Sequence, residues 1–189
     1  MSSSAASSVW ANPSIDGTLG NMNPLTDVRA VCFDWGGTLM SEEGSESVSM
    51  GLWPEVAAIP GAAECLAALA GRLTLAIATN ASVSTRPLIE RALARVGFAR
   101  YFEQIFCYTE LGFRKSQPEF WQAVTKSLGV QVHQVAMVGD SYEQDAALPR
   151  RFGIQGVWFN PLHRPVGEYG PVPEVAHLLE FSAWVNNVA

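Results

Sequence analysis

Six side chains stand where their types and order could do chemistry. Asp34 follows a short apolar run and is itself followed by Trp35, Gly36, Gly37 and Thr38. Thr79 and Asn80, a hydroxyl and an amide, follow a second such run; Gly139 and Asp140 follow another, with Asp145 five residues on. Lys115 lies between them in Arg114-Lys115-Ser116-Gln117-Pro118. An acid at the end of an apolar strand, followed by two glycines, puts a carboxylate on a sharply turning backbone whose amides can face an anion. Carboxylates converging on one point repel and cannot all stay ionised without a cation. An all-oxygen cluster with room for water suits Mg²⁺, which is typically held by one or two carboxylates plus substrate phosphate. Lys115 adds a point charge and Thr79 a donor, the parts that stabilise charge on a transferring phosphoryl group.

These residues need elements to position them, and the chain supplies an alternation of apolar runs and amphipathic stretches, the order of a parallel α/β sheet. The strand candidates are Val28–Phe33, Leu73–Ala78, Gln104–Cys107, Val135–Val138 and Gly156–Phe159. Pro87 suits a first helical turn, Leu88, Ile89, Ala92, Leu93 and Val96 form one stripe, and Gly97 supplies the left-handed stop. Pro118, the stripe Phe120, Trp121, Val124 and Leu128, and Gly129 repeat that grammar. A last helix is predicted from Pro173 to about Asn186, burying Val175, Leu178, Leu179 and Trp184. In such a sheet the reactive groups collect beyond the carboxyl ends of the strands, where Asp34, Thr79, Asn80, Asp140 and Asp145 fall, with Lys115 between the third and fourth strands.

Length and composition bound the rest. The 189 residues allow one sizeable core, read as residues 28–189, and the Ser, Asn, Pro and Gly-rich residues 1–27 read as a tail outside it. With 48% hydrophobic and 16% charged residues the chain folds as a globule. Eighteen acidic against twelve basic residues, of which only Lys115 and Lys126 are lysines, argue against nucleic acid as a partner. Cys32, Cys65 and Cys107 form no C-x-x-C pair, so reduced thiols and a cytoplasmic location are expected. No apolar run reaches the ~18 residues of a membrane span, and the first residues lack a charged targeting start.

Taken together, the chain resembles the haloacid dehalogenase-like superfamily. The likeness rests on four motifs in order: Phe33-Asp34-Trp35-Gly36-Gly37-Thr38-Leu39; Thr79-Asn80; Lys115 with Pro118 following; and Gly139-Asp140-Ser141-Tyr142-Glu143-Gln144-Asp145. The resemblance implies a three-layer, Rossmann-like, doubly wound parallel sheet and a Mg²⁺-dependent phosphatase. It implies that Asp34 is a nucleophile forming an aspartyl-phosphate, and that Asp34, the Gly36 carbonyl and Asp140 hold Mg²⁺. Thr79, Asn80 and Lys115 would meet the substrate, with Asp145 and Thr38 in support.

The chain departs from that pattern in two places. Relatives carry a second Asp two residues after the nucleophile as general acid and base, and here that position is Gly36. Such a group contributes ~10²- to 10⁴-fold, so a module without turnover, kept for binding or regulation, is the alternative reading. Glu42, Glu43 and Glu46 follow closely and read as an exposed acidic loop within swinging reach of the site. His163 reads as a surface residue, and His133 as lying at the opposite end of the sheet. A phosphonoacetaldehyde hydrolase is disfavoured by the lack of any lysine between Leu39 and Pro60, and the haloacid dehalogenases, which have no use for Mg²⁺, resemble the chain less in the fourth motif, where Asp140 and Asp145 are retained.

The second departure is the lid. Residues 40–59 make only a short flap, too short for the cap domain of most relatives, which leaves the site open to a phosphorylated small molecule or an accessible phosphorylated macromolecule. Trp53 and Pro54 in that flap allow packing or self-association into a homodimer.

Overall fold

A computed structural model describes residues 23–45 and 47–189. Most of the expected tail, residues 1–22, and Glu46 lie outside the described residues. Six parallel strands, β1 (Ala30–Phe33), β2 (Thr74–Thr79), β3 (Gln104–Cys107), β4 (Val135–Gly139), β5 (Gln155–Phe159) and β6 (Glu174–Val175), form one sheet in the order β3-β2-β1-β4-β5-β6. The helices are α1 (Ala62–Leu69), α2 (Arg86–Arg95), α3 (Tyr108–Leu111), α4 (Pro118–Leu128), α5 (Leu148–Arg151) and α6 (Leu178–Asn186). The arrangement is the open, Rossmann-like α/β architecture expected from the sequence. The chain runs outward from β1 in one direction and from β4 in the other, so the topology reverses between those two strands. Loops diverge at such a point and leave a crevice beyond the strand ends.

Both faces of the sheet are covered, which is why β1 is buried throughout. Successive side chains alternate: Val31 and Phe33 enter a core with Leu66, Ile89 and Phe181, and Cys32 enters the opposite one with Phe120, Trp121 and Met137. Edge-to-face aromatic pairs mark each side, Phe33–Phe181 at 5.9 Å and Phe120–Trp121 at 5.2 Å between ring centroids. The helical grammar holds for α2 and α4, which start at prolines and stop at Gly97 (φ 77°) and Gly129 (φ 68°). Among the described residues no helix is long and apolar enough to cross a membrane.

Three expectations need correction. The sheet has six strands, because Glu174 and Val175 pair with Trp158 and Phe159 at the edge. The last helix accordingly starts at Leu178, after this extended segment, in which the Pro173 carbonyl accepts from Trp158 N at 2.8 Å. Its buried stripe is Leu178, Phe181, Ser182 and Val185, and Leu179, a residue off that stripe, is half exposed. Leu25, inside the segment read as tail, is buried in the core, where Leu25 N donates to Asn23 Oδ1 at 3.0 Å and Asn23 in turn donates to the Trp184 carbonyl at 2.5 Å.

The flap folds back on the body through Ser41 N to the Ala57 carbonyl (2.9 Å) and Ile59 N to the Leu39 carbonyl (2.9 Å). Gly156 in β5 permits a close approach between layers. A Cβ there would collide with the Ala146 carbonyl and stand 2.8 Å from Ala146 Cα, backbone that cannot swing aside. Gly156→Ala is therefore expected to lose about 1–3 kcal/mol of unfolding free energy in a urea titration. An unchanged midpoint would show that the segment before α5 is loosely held.

Candidate active site

The crevice at the reversal point collects the residues singled out in the sequence. Asp34 extends β1 by one residue, its N–H donating to the Val138 carbonyl at 3.0 Å, which fixes the carboxylate at the strand end. Gly37 then turns the chain with φ 68° and packs against Asp140, whose Oδ2 lies 2.8 Å from where a Cβ would stand. Only glycine meets both demands. Thr38 is fully buried, and its hydroxyl accepts from Asp140 N at 3.0 Å, tying the loops after β1 and β4 together.

Lys115 is the hub. It is 2% exposed, and its Nζ donates to Asp34 Oδ1 at 2.8 Å and to Asp145 Oδ1 at 2.5 Å. Its backbone is fixed from both sides: Lys115 N donates to Asn80 Oδ1 (2.8 Å), and its carbonyl accepts from Trp121 Nε1 (2.8 Å). Asp145 sits in a π-helical turn, Tyr142–Ala147, that precedes α5, and its Oδ2 accepts from Ser141 N at 3.0 Å. Gly139 makes room for it, since a Cβ at Gly139 would overlap the Asp145 carboxylate.

Thr79, the last residue of β2, is buried with its hydroxyl accepting from Ala81 N at 3.0 Å, which leaves its one hydrogen to donate. Asn80 donates to Gln144 Oε1 at 3.0 Å, so both ends of its amide hold protein groups. Asp34, Gly36, Thr79, Lys115, Asp140 and Asp145 all line one cleft of about 200 Å³. The residues that sequence reasoning missed are Trp121, Trp158, Gln144 and Arg164. Trp158 donates to the Asp140 carbonyl at 3.0 Å, and Arg164 Nη2 lies 3.7 Å from Asp140 Oδ2. Trp121 and Trp158 read as core residues in the sequence, and no signal marks their indole N–H groups. Glu42, read as part of an exposed acidic loop, also lines the cleft. His133 is 3.9 Å from Asp27, away from the cleft.

The electrostatics ask for a cation. Asp34, Asp140 and Asp145 each bring a carboxylate oxygen within 4.8 Å of the others, against the single buried ammonium of Lys115. Burial raises the Asp34 carboxyl to about 8, with Asp145 and Asp140 adding repulsion and Lys115 opposing them. Asp140 is raised by burial and by Asp145, partly offset by Arg164 and Lys115. Burial alone would lower Lys115, but Asp145 and Asp34 outweigh it and hold its pKa above the ordinary value. Asp145 is engaged by Lys115 and Ser141, so Asp34 and Asp140 are the carboxylates placed to hold a divalent ion, and hard oxygen donors fit Mg²⁺.

In the metal-free protein Asp34 binds its proton more tightly folded than unfolded, where the ordinary value is 3.8. Its contribution to stability is thus full below about 4 and is lost as pH rises through about 8. Urea titrations in chelator should show the wild type losing stability over that window relative to Asp34→Asn. Parallel curves for the two proteins would contradict a buried, cation-starved Asp34.

Comparison with known proteins agrees with this geometry. The family described as haloacid dehalogenase-like hydrolase matches residues 50–153, more than half of the chain. Pyrimidine 5'-nucleotidase PynA of Streptococcus pneumoniae (strain ATCC BAA-255 / R6) is 31% identical over 72 residues, a match that spans 38% of this chain and 30% of that relative's length. Among solved structures, the putative HAD-hydrolase YfnB from Bacillus subtilis, bound to magnesium, superposes with a TM-score of 0.72 at 16% identity, covering 85% of this chain and 100% of the other. A HAD phosphatase from Thermococcus onnurineus gives 0.72 at 18% identity, covering 85% and 99%. These two likenesses show the fold. With the family match and the ordered strand-end motifs, they establish that the chain belongs to the haloacid dehalogenase-like hydrolases.

Proposed function

We propose that the chain is a Mg²⁺-dependent phosphohydrolase that works through an aspartyl-phosphate on Asp34. The observation that carries this reading is the buried ion pair, in which Lys115 holds Asp34 Oδ1 at 2.8 Å at the floor of an open cleft. That contact fixes one carboxylate oxygen and leaves the other to attack phosphorus. An Asp34 oxygen bonds to the phosphoryl group as the bond to the leaving oxygen breaks, and water then cleaves the acyl phosphate and regenerates Asp34. Lys115 and the Thr79 hydroxyl meet the phosphoryl oxygens, and Asp145 keeps Lys115 protonated and in place. Asp34, the Gly36 carbonyl and Asp140 would hold the metal, which when bound offsets the charge of the phosphoryl group and of the carboxylates.

The relatives support the reading by what their names state: a nucleotidase, a phosphatase and a hydrolase bound to magnesium. The flap adds no lid domain, so substrates range from a phosphorylated small molecule to an accessible phosphorylated macromolecule. Three buried, free cysteines are compatible with a reducing cytoplasm. Purified protein is expected to release phosphate from acetyl phosphate and 4-nitrophenyl phosphate with Mg²⁺ and not with a chelator. Asp34→Asn should lower that rate by about 10³-fold or more. An undiminished rate in the variant rules out Asp34 as nucleophile.

A further inference from the structure

An ester oxygen leaves as a poor, charged group unless a proton meets it, and the water that follows must lose one. The cleft holds four carboxylates that could serve, those of Asp34, Glu42, Asp140 and Asp145. Asp34 forms the bond to phosphorus, Asp145 holds Lys115, and Asp140 is read as a metal ligand, so each of these already has a part in the reading. Glu42 is differently placed. Its Oε1 is the atom nearest to where a Cβ on Gly36 would stand, close enough to overlap it, and its Cδ at 2.7 Å and Cγ at 3.1 Å are the next two. The backbone leading to it is held: Gly37 N donates to the Met40 carbonyl at 2.8 Å, and Ser41 N, one residue before Glu42, to the Ala57 carbonyl at 2.9 Å.

We propose that Glu42, reaching over the bare backbone of Gly36, is the general acid and base of this site. The assignment rests on the reading of Asp34 as nucleophile. As an Asp34 oxygen bonds to phosphorus and the P–O bond to the leaving group breaks, the Glu42 carboxyl gives its proton to the departing oxygen. The resulting carboxylate takes a proton from water; the hydroxide oxygen bonds to phosphorus, the Asp34–phosphorus bond breaks, and phosphate leaves with Glu42 protonated again. The glycine at position 36 thereby changes from a missing acid to the space that admits one from six residues further along.

Glu42→Gln separates this role from simple packing. It should slow phenyl phosphate at least tenfold more than 4-nitrophenyl phosphate, whose leaving group needs less protonation, and should prolong the life of the phosphoenzyme formed from acetyl phosphate. Mg²⁺ affinity by titration calorimetry should stay within about twofold of the wild type, because the side chain is not assigned to the metal. An equal loss on both esters, or a large loss of Mg²⁺ affinity, overturns the assignment. Returning a carboxylate to position 36 gives a second test: Gly36→Asp in a Glu42→Ala background should recover at least tenfold on phenyl phosphate, and no recovery counts against the proposal. If the wild type forms no phosphoenzyme at all, the Asp34 reading fails and this one falls with it; if it forms one and Glu42→Gln changes neither ester selectivity nor phosphoenzyme lifetime, only Glu42 is refuted.

Discussion

One buried ammonium holds this site together. Lys115 is nearly inaccessible, and a charge taken out of water is tolerated only where it is paired and hydrogen-bonded. Asp34 and Asp145 both meet it, and its backbone is held by Asn80 and Trp121. Through these side-chain and backbone contacts a single residue ties together the loop after β1, the loop after β2, the first turn of α4 and the turn after β4. The same arrangement leaves negative charge in excess, and burial, with the repulsion of Asp145 and Asp140 added to it, raises the Asp34 carboxyl. A divalent cation would offset that excess, and under the proposed reading a phosphoryl group would meet a site whose charges are already in place.

Close approach of the four loops depends on what is absent as much as on what is present. Gly37 clears Asp140, Gly139 clears Asp145, and Gly156 clears the backbone of Ala146, the residue after Asp145. Each removes a side chain at a point where two elements that carry catalytic candidates converge. Gly36 differs, because what fills its space is the side chain of Glu42 from the flap. Glu42 thereby reaches the cleft from the flap, between β1 and α1.

Much of this was legible in the sequence because motifs at strand ends combine residue type with topology. Asp34, Thr79, Asn80, Asp140 and Asp145 were marked by following each apolar run to its end, and Lys115 by its place between the third and fourth strands; the parallel sheet brings all six into one cleft. Two-residue β6 was not legible, since a strand of that length has no period to detect and its pairing with β5 is a tertiary event. Leu25 was hidden for a similar reason: one apolar residue in a polar stretch carries no pattern, and its burial depends on contacts with distant chain. The position of Glu42 depends on the path of the turn between Gly37 and Ser41, which composition describes only as acidic loop. The indole N–H bonds of Trp121 and Trp158 show how core residues also orient a site without any sign in the sequence.

The central claim, that convergent carboxylates around Lys115 form a divalent-metal site for phosphoryl transfer on Asp34, is tested most directly by anomalous diffraction from crystals grown with Mn²⁺ in place of Mg²⁺. The account predicts one strong peak bonded to Asp34, the Gly36 carbonyl and Asp140, and no such peak in Asp140→Asn crystals. A metal-free cleft at saturating Mn²⁺, or a peak held by other residues, would contradict it.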